Sequence, residues 1–491
     1  MSSVGCAIPG MQLLSEEHCR LIHSSSLEIL RRTGVEVYGS EALKLLRQTG
    51  GALIRDHHVH LEPALVEWAV AQAPSRIVLC ERSSDRPSAR LEGREVVFGT
   101  GSDCLTYLDP RSGVRRPFTH ADVEDCIRVV DALDELQFCM SMGIPRELGE
   151  SLYRVQFAAM LRNTRKPIVF VCNDRTDCEA IVAMASAAAG GIASLRNSPS
   201  ILLYSEPSSP LRHSRTAVEK LLYMAEQSLP VVHSPAPVQG GTAPVTLSGA
   251  LAMANAEVLS GLVLHQLKRK GSPFVYGCGM HQLDMKTLVS VYTSPEFLLA
   301  RAATAEMGRF YGLPTWGYAG DANSCVVDQQ AASEATFSIL TALLAGSNLT
   351  HDVGYLESGK TTSPEMMILC NEIITMARTF MRGISFEPEM LALDIIHEVG
   401  SHGNFLTSQH TLHHYRKLWM PDLFTRVDGE TWTTRGTTMS ESIRDRTLAV
   451  LEEHRPPELS QEADDEIKYI LQASAEQARK PGCEGQKENH N

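Results

Sequence analysis

Short apolar, β-rich runs recur along the chain a few tens of residues apart, and each ends in a small cluster of Gly, Asp, His or Ser. The runs are Val96–Asp103, Leu136–Met140, Ile168–Cys172, Ile201–Glu206, Leu229–Ser234, Phe274–Gly277, Leu313–Tyr318 and Asn348–Asp352. Helical patterns fill the intervals between them. Alternation of strand and helix over this length predicts an α/β fold, a (β/α)8 TIM barrel, whose chemistry sits where the strands end.

The flanks read differently. Apolar residues at helical spacing over Cys19–Thr33, Ser40–Thr49 and Pro63–Ala73 make residues 1–94 a helical N-terminal region, with short strands at Gly34–Val37 and Val59–Leu61. The barrel is expected over residues 95–382 and a helical C-terminal region over 383–479. In that region Pro388–Val399 begins with Pro and stops at Gly400, Leu406–Trp419 stops before Pro421, and Ser440–Glu453 and Ser460–Ala478 are amphipathic. These helices would serve a subunit interface, making a homo-oligomer, or cover the barrel bottom. Residues 480–491 are polar and read as a disordered tail.

Composition narrows the function. Among 491 residues, 43% are hydrophobic and 21% charged, ordinary for a globular protein. A net charge of −13 argues against a nucleic-acid partner. No apolar run is read as long enough to span a bilayer, and the first residues lack the basic and apolar segments of a secretory signal. The 12 cysteines are scattered without a CxxC pair, as expected of reduced thiols in the cytoplasm.

Aromatic residues are only 6% of the chain, yet many fall at strand ends. Phe98, Tyr204, Tyr276, Trp316, Tyr318 and Tyr355 stand at or just beyond them, with Glu206, Asp321, Asp352 and Glu357 alongside. Aromatic faces attract a quaternary ammonium by about 0.5–2 kcal/mol per contact; the alternative is that strand aromatics fill the barrel interior. His351 closes the last run and is placed to contact substrate or donate a proton, or else to bond a neighbouring strand end. The segment Gly99-Thr-Gly-Ser-Asp103 is not GxGxxG, so a dinucleotide site is a weak reading. Cys278 with His281, and His410 with His414, are the metal candidates, and each pair lacks a third ligand nearby in sequence.

Several stretches together resemble the trimethylamine methyltransferase (MttB) family, from about Leu14 to Ala478. They are Phe98–Asp103, Leu247–Leu259, Arg309–Pro314, Ala345–Leu349, Asn371–Ile374, Ala392–Ile396 and His410–Arg416. The resemblance implies a barrel that moves a methyl group from an amine to a corrinoid carried by a separate protein, with no cofactor held tightly by this chain. The sequence contains no pyrrolysine, which points to the pyrrolysine-free branch and a quaternary amine such as glycine betaine, proline betaine or carnitine. On this reading His351 is the catalytic candidate, and Phe98 and Tyr355 are carried over as substrate contacts. Glu206, Tyr276, Tyr318, Asp321 and Glu357 join them from strand-end position alone. His351, Tyr318 and the backbone amides of Gly99–Gly101 and Gly277–Gly279 are the candidates for a betaine carboxylate. The competing readings are a zinc-dependent methyltransferase acting on a thiol, with Cys278 and His281 as ligands, and a quaternary-amine sensor without catalysis.

Overall fold

The computed structural model describes residues 6–478. Eight parallel strands form one sheet: β1 (Val97–Gly99), β2 (Leu136–Phe138), β3 (Ile168–Phe170), β4 (Ile201–Ser205), β5 (Val231–His233), β6 (Phe274–Gly277), β7 (Thr315–Tyr318) and β8 (Leu349–His351). The sheet closes between β2 and β3, where Cys139 donates to the Pro167 carbonyl and accepts from Val169 N–H at 2.9 Å. All eight predicted runs are barrel strands, in chain order.

A helix follows each strand: α1 (His120–Ala132), α2 (Leu152–Asn163), α3 (Arg175–Ala188), α4 (Arg215–Gln227), α5 (Leu247–Lys268), α6 (Pro295–Phe310), α7 (Gln329–Ala345) and α8 (Pro364–Met381). Five of them start at a Ser or Asp whose side chain accepts the N–H three residues on, namely Asp174, Ser214, Ser294, Asp328 and Ser363. Helix α5 corrects the bilayer expectation, because it is long and apolar enough to cross a membrane. It is nevertheless buried over most of its length, packed by α4 and by helices Glu16–Glu28 and Pro63–Gln72.

Residues two apart on a strand share a face, and the barrel separates two cores accordingly. Val97, Phe138, Val169, Leu202, Val232, Val275, Trp316, Tyr318 and Leu349 point inward. A hairpin of Ile77–Cys80 and Pro87–Leu91, absent from the sequence reading, closes the N-terminal end by adding Ile77, Leu79, Ala89 and Leu91 to that interior. The intervening strand residues face the helices in the larger outer core. At the C-terminal end two small sheets rim the barrel mouth, one from Val238–Gln239, His281–Leu283 and Ser290–Val291, the other from residues 106–117 and 355–362.

The C-terminal region also differs in part from its pattern. Pro388–Val399 is two short helices broken at Ala392, whose φ is +54°, and only Gln409–His414 of the second predicted segment is α-helical. The expected tail at 480–491 lies outside the described residues.

Candidate active site

The floor of the mouth is aromatic. Leu349 faces inward, so His351, two residues on, does too. Its ring centroid lies 4.1 Å from Trp316, 4.3 Å from Tyr318 and 6.1 Å from Tyr204. Small residues make room for these rings. A Cβ at Gly277 would stand 2.5 Å from the Trp316 side chain, and one at Gly279 would stand 2.3 Å from the Tyr318 hydroxyl. The Tyr318 hydroxyl meets Ser234 Oγ at 3.2 Å. The Trp316 indole N–H is buried with no hydrogen-bond partner.

The protonation of His351 follows from its contacts. Its Nδ1–H donates to the Gly317 carbonyl at 2.8 Å, since a carbonyl can only accept. Its Nε2 faces Asp352 Oδ1 at 3.2 Å. Burial pulls His351 down to about 3 and pushes the Asp352 carboxyl well up, with Asp321 adding to the rise. Burial therefore disfavours charge on both side chains. His351 has no N–H left to offer a substrate carboxylate.

Above the floor the site opens. Tyr204 is half-buried and Glu206 is exposed, and the Tyr204 hydroxyl donates to Glu206 Oε1. Glu206 opens onto the hollow of the mouth while protein surrounds it, and this desolvation, with Asp103 as a lesser cause, raises its carboxyl to about 7. Two cations attend the mouth, and both have partners. Lys220 donates to the Cys172 carbonyl at 2.6 Å. Arg301, on α6, holds both oxygens of Asp321 at 3.2 and 3.0 Å and donates to the carbonyls of Tyr318 and Tyr292.

Residues 2–478 match the family described as Trimethylamine methyltransferase (MTTB). The chain belongs to this family. It is 31% identical to the trimethylamine methyltransferase MttB of Desulfitobacterium hafniense (strain DSM 10664 / DCB-2), with 95% of each chain covered. It is 28% identical to the glycine betaine methyltransferase of Desulfitobacterium hafniense (strain Y51), over 95% of this chain and 98% of that one. Its fold matches the crystal structure of the Methanosarcina barkeri monomethylamine methyltransferase (MtmB) with a TM-score of 0.53 at 11% identity, covering 91% and 89% of the two chains.

Within this MTTB family barrel the residues singled out from sequence divide. Tyr318, His351 and Glu206 come together at the mouth, through Tyr204 and Trp316. Phe98 and Tyr276 do not, because their positions on β1 and β6 turn them outward. Phe98 is fully buried under Arg378 of α8, and the Tyr276 hydroxyl donates to Asn255 Oδ1 on α5 at 2.7 Å. Asp321 is neutralised by Arg301 and supports β7 from behind. Tyr355 donates to the Ser102 carbonyl, filling the space a Cβ at Gly101 would need. Glu357 pairs with Arg115 at 2.9 Å on the rim sheet. At Gly99 a Cβ would strike the Phe138 ring, and the Gly279 N–H donates to the Pro235 carbonyl, so these glycines serve packing. Cys278 lies in the outer core, and among the described residues no three His, Cys, Asp or Glu are grouped to hold a metal. The zinc reading draws no support from this arrangement.

Proposed function

We propose that this family member removes a methyl group from a quaternary ammonium compound of betaine type and passes it to the cobalt(I) of a corrinoid on a separate protein docked over the mouth. The observation that carries this reading is the aromatic floor of Trp316, Tyr318 and His351 beneath Tyr204 and the accessible carboxylate of Glu206. That surface suits a bulky cation that offers no N–H for hydrogen bonding. The name of the glycine betaine methyltransferase relative supports it.

The corrinoid supplies a two-electron nucleophile, and the remaining requirements fall on the chain. A carbon–nitrogen bond breaks, its electron pair stays on nitrogen, and a neutral tertiary amine leaves. The quaternary nitrogen already carries the charge that makes it a leaving group, so no side chain has to protonate it. The aromatic rings hold the cation out of water with one methyl directed outward. The unpartnered Trp316 N–H is the donor we assign to a carboxylate at the other end of the substrate, reached once the ligand displaces the packing around it.

The test mixes the protein with a cobalt(I) corrinoid protein and, separately, glycine betaine, proline betaine, carnitine, γ-butyrobetaine, choline and trimethylamine. Loss of the cobalt(I) absorbance with a quaternary amine is the expected result. Reaction with trimethylamine alone would overturn the reading. Calorimetric binding without reaction would favour the sensor.

A further inference from the structure

A cleft of about 1000 Å³ lies at the N-terminal end of the barrel, at the opposite end from the mouth. Three elements wall it: the turn of the hairpin that closes the barrel, the C-terminal end of α3, and the start of the last helix, Gln461–Ala478. Ser83, held in the turn at a φ of +59°, fastens the first wall to the second by donating to the Ala188 carbonyl.

Two cations line this cleft without a counter-ion. Arg82 is only 6% exposed. Its Nε donates to the Thr164 carbonyl at 3.2 Å and one Nη to the Pro457 carbonyl at 3.0 Å, and its other Nη has no partner among the described residues. Arg165 stands beside it, because the Arg82 backbone N–H bonds the Arg165 carbonyl at 2.7 Å. The Arg165 side chain is exposed and also without a partner among the described residues. Burial and the Arg165 charge both pull Arg82 below the usual arginine range. Asp131, whose charge acts on Arg82, is already engaged by the Thr164 hydroxyl at 2.6 Å and by His454 at 2.8 Å. In a chain with a net charge of −13, a buried guanidinium set beside a second one calls for an anion from outside.

The rest of the lining narrows the ligand. Glu458, Glu462 and Glu466 also face the cleft, and among the described residues none of them pairs with either arginine. A molecule that satisfies both sets has an anionic group for the guanidiniums and hydroxyl donors for the carboxylates. Two guanidiniums offer more N–H groups than the two oxygens of a carboxylate can use, and they match the charge of a dianion with three terminal oxygens. We infer that this cleft binds a small phosphomonoester, its phosphate held by Arg82 and Arg165 and its hydroxyls by the glutamates. The site is separate from the aromatic floor and does not depend on the reaction proposed there.

Calorimetric titration of the full chain with ribose 5-phosphate, inorganic phosphate and ribose, at constant ionic strength, tests this. Ribose 5-phosphate should bind more tightly than phosphate, and ribose should not bind. Arg165→Gln removes an exposed side chain that holds nothing else, so it should keep the wild-type melting midpoint and weaken ribose 5-phosphate by about tenfold or more, the loss of one charge-assisted hydrogen bond. Absence of binding, phosphate binding as tightly as ribose 5-phosphate, or an Arg165→Gln affinity equal to wild type overturns the inference. Hydrogen exchange locates the ligand: ribose 5-phosphate should protect amides of 188–191 and 460–466 and leave those of 204–213 at the mouth unchanged. Protection at the mouth instead overturns it as well.

Discussion

Glu206 should make cation binding depend on pH in the neutral range. Its carboxyl is raised to about 7, so it takes up a proton as the pH falls from 8 to 6. A cation roughly 5 Å from an ionised carboxylate gains about 3 kcal/mol at an effective dielectric near 20, so the ionised form is the one that binds well. With a value near 7, about a tenth of Glu206 is ionised at pH 6 and about nine-tenths at pH 8, and affinity should rise on the order of tenfold across that interval. The sign follows from the charge, since losing the proton creates the anion that attracts the ligand. Calorimetric titration of tetramethylammonium at pH 6, 7 and 8 measures this directly, and Glu206→Gln should bind more weakly at pH 8 with a flat profile. A wild-type affinity unchanged from pH 6 to 8, or a Gln variant that keeps the wild-type rise, would refute the reasoning. His351 cannot supply the slope, because its pull down to about 3 leaves it neutral throughout.

Two further substitutions probe the site and its support. His351→Ala should lower methyl transfer at least tenfold, on the order of 1.4 kcal/mol in the barrier, and a fully active variant would remove His351 from the mechanism. Arg301→Met strands the fully buried Asp321 without its partner and should cost about 3–5 kcal/mol in a denaturant melt. Arg301→Met/Asp321→Leu should recover part of that loss, and no recovery would show that the carbonyl contacts of Arg301, not its ion pair, hold β7.

The barrel was legible because strands buried on both faces leave near-continuous apolar runs, as in Ile168–Cys172 and Ile201–Tyr204. The same property hid which residues face inward. In Val96-Val97-Phe98 and Phe274-Val275-Tyr276 no polar alternation marks a side, so Phe98 and Tyr276 read as site residues although they pack against α8 and α5. His351 and Tyr318 were recoverable because they stand two residues beyond inward-facing Leu349 and Trp316. Asp352 and Tyr204 stand beside them, but sequence spacing carries no signal of the approach to His351 or of the bond to Glu206, which depend on local backbone and side-chain directions. Arg301 sits twenty residues before Asp321 on a helix, with nothing in its surroundings to announce the pair. The hairpin that plugs the barrel was missed because its polar turn, Arg82-Ser-Ser-Asp-Arg86, dominates a short segment.

The distribution of charge in the mouth bears on the proposed reaction. Positive charge leaves nitrogen as the carbon–nitrogen bond breaks, so an anion fixed against the nitrogen would hold the substrate more strongly than the transition state and slow the step. The floor avoids this. Burial disfavours charge on His351 and Asp352, Asp321 is neutralised by Arg301, and the rings of Trp316 and Tyr318 offer only quadrupoles. The ionisable carboxylate stands higher, at Glu206, where it can draw a cation in. Because its own proton affinity is raised to about 7, that carboxylate is also the group at this site whose charge is least firmly fixed at neutral pH. On this arrangement Glu206→Gln should raise KM far more than it lowers kcat, whereas Asp352→Asn, which stands uncharged opposite His351 Nε2, should leave both nearly unchanged. A large loss of kcat in Asp352→Asn would mean that the Asp352 carboxyl takes part in the reaction and that the floor is not electrostatically passive.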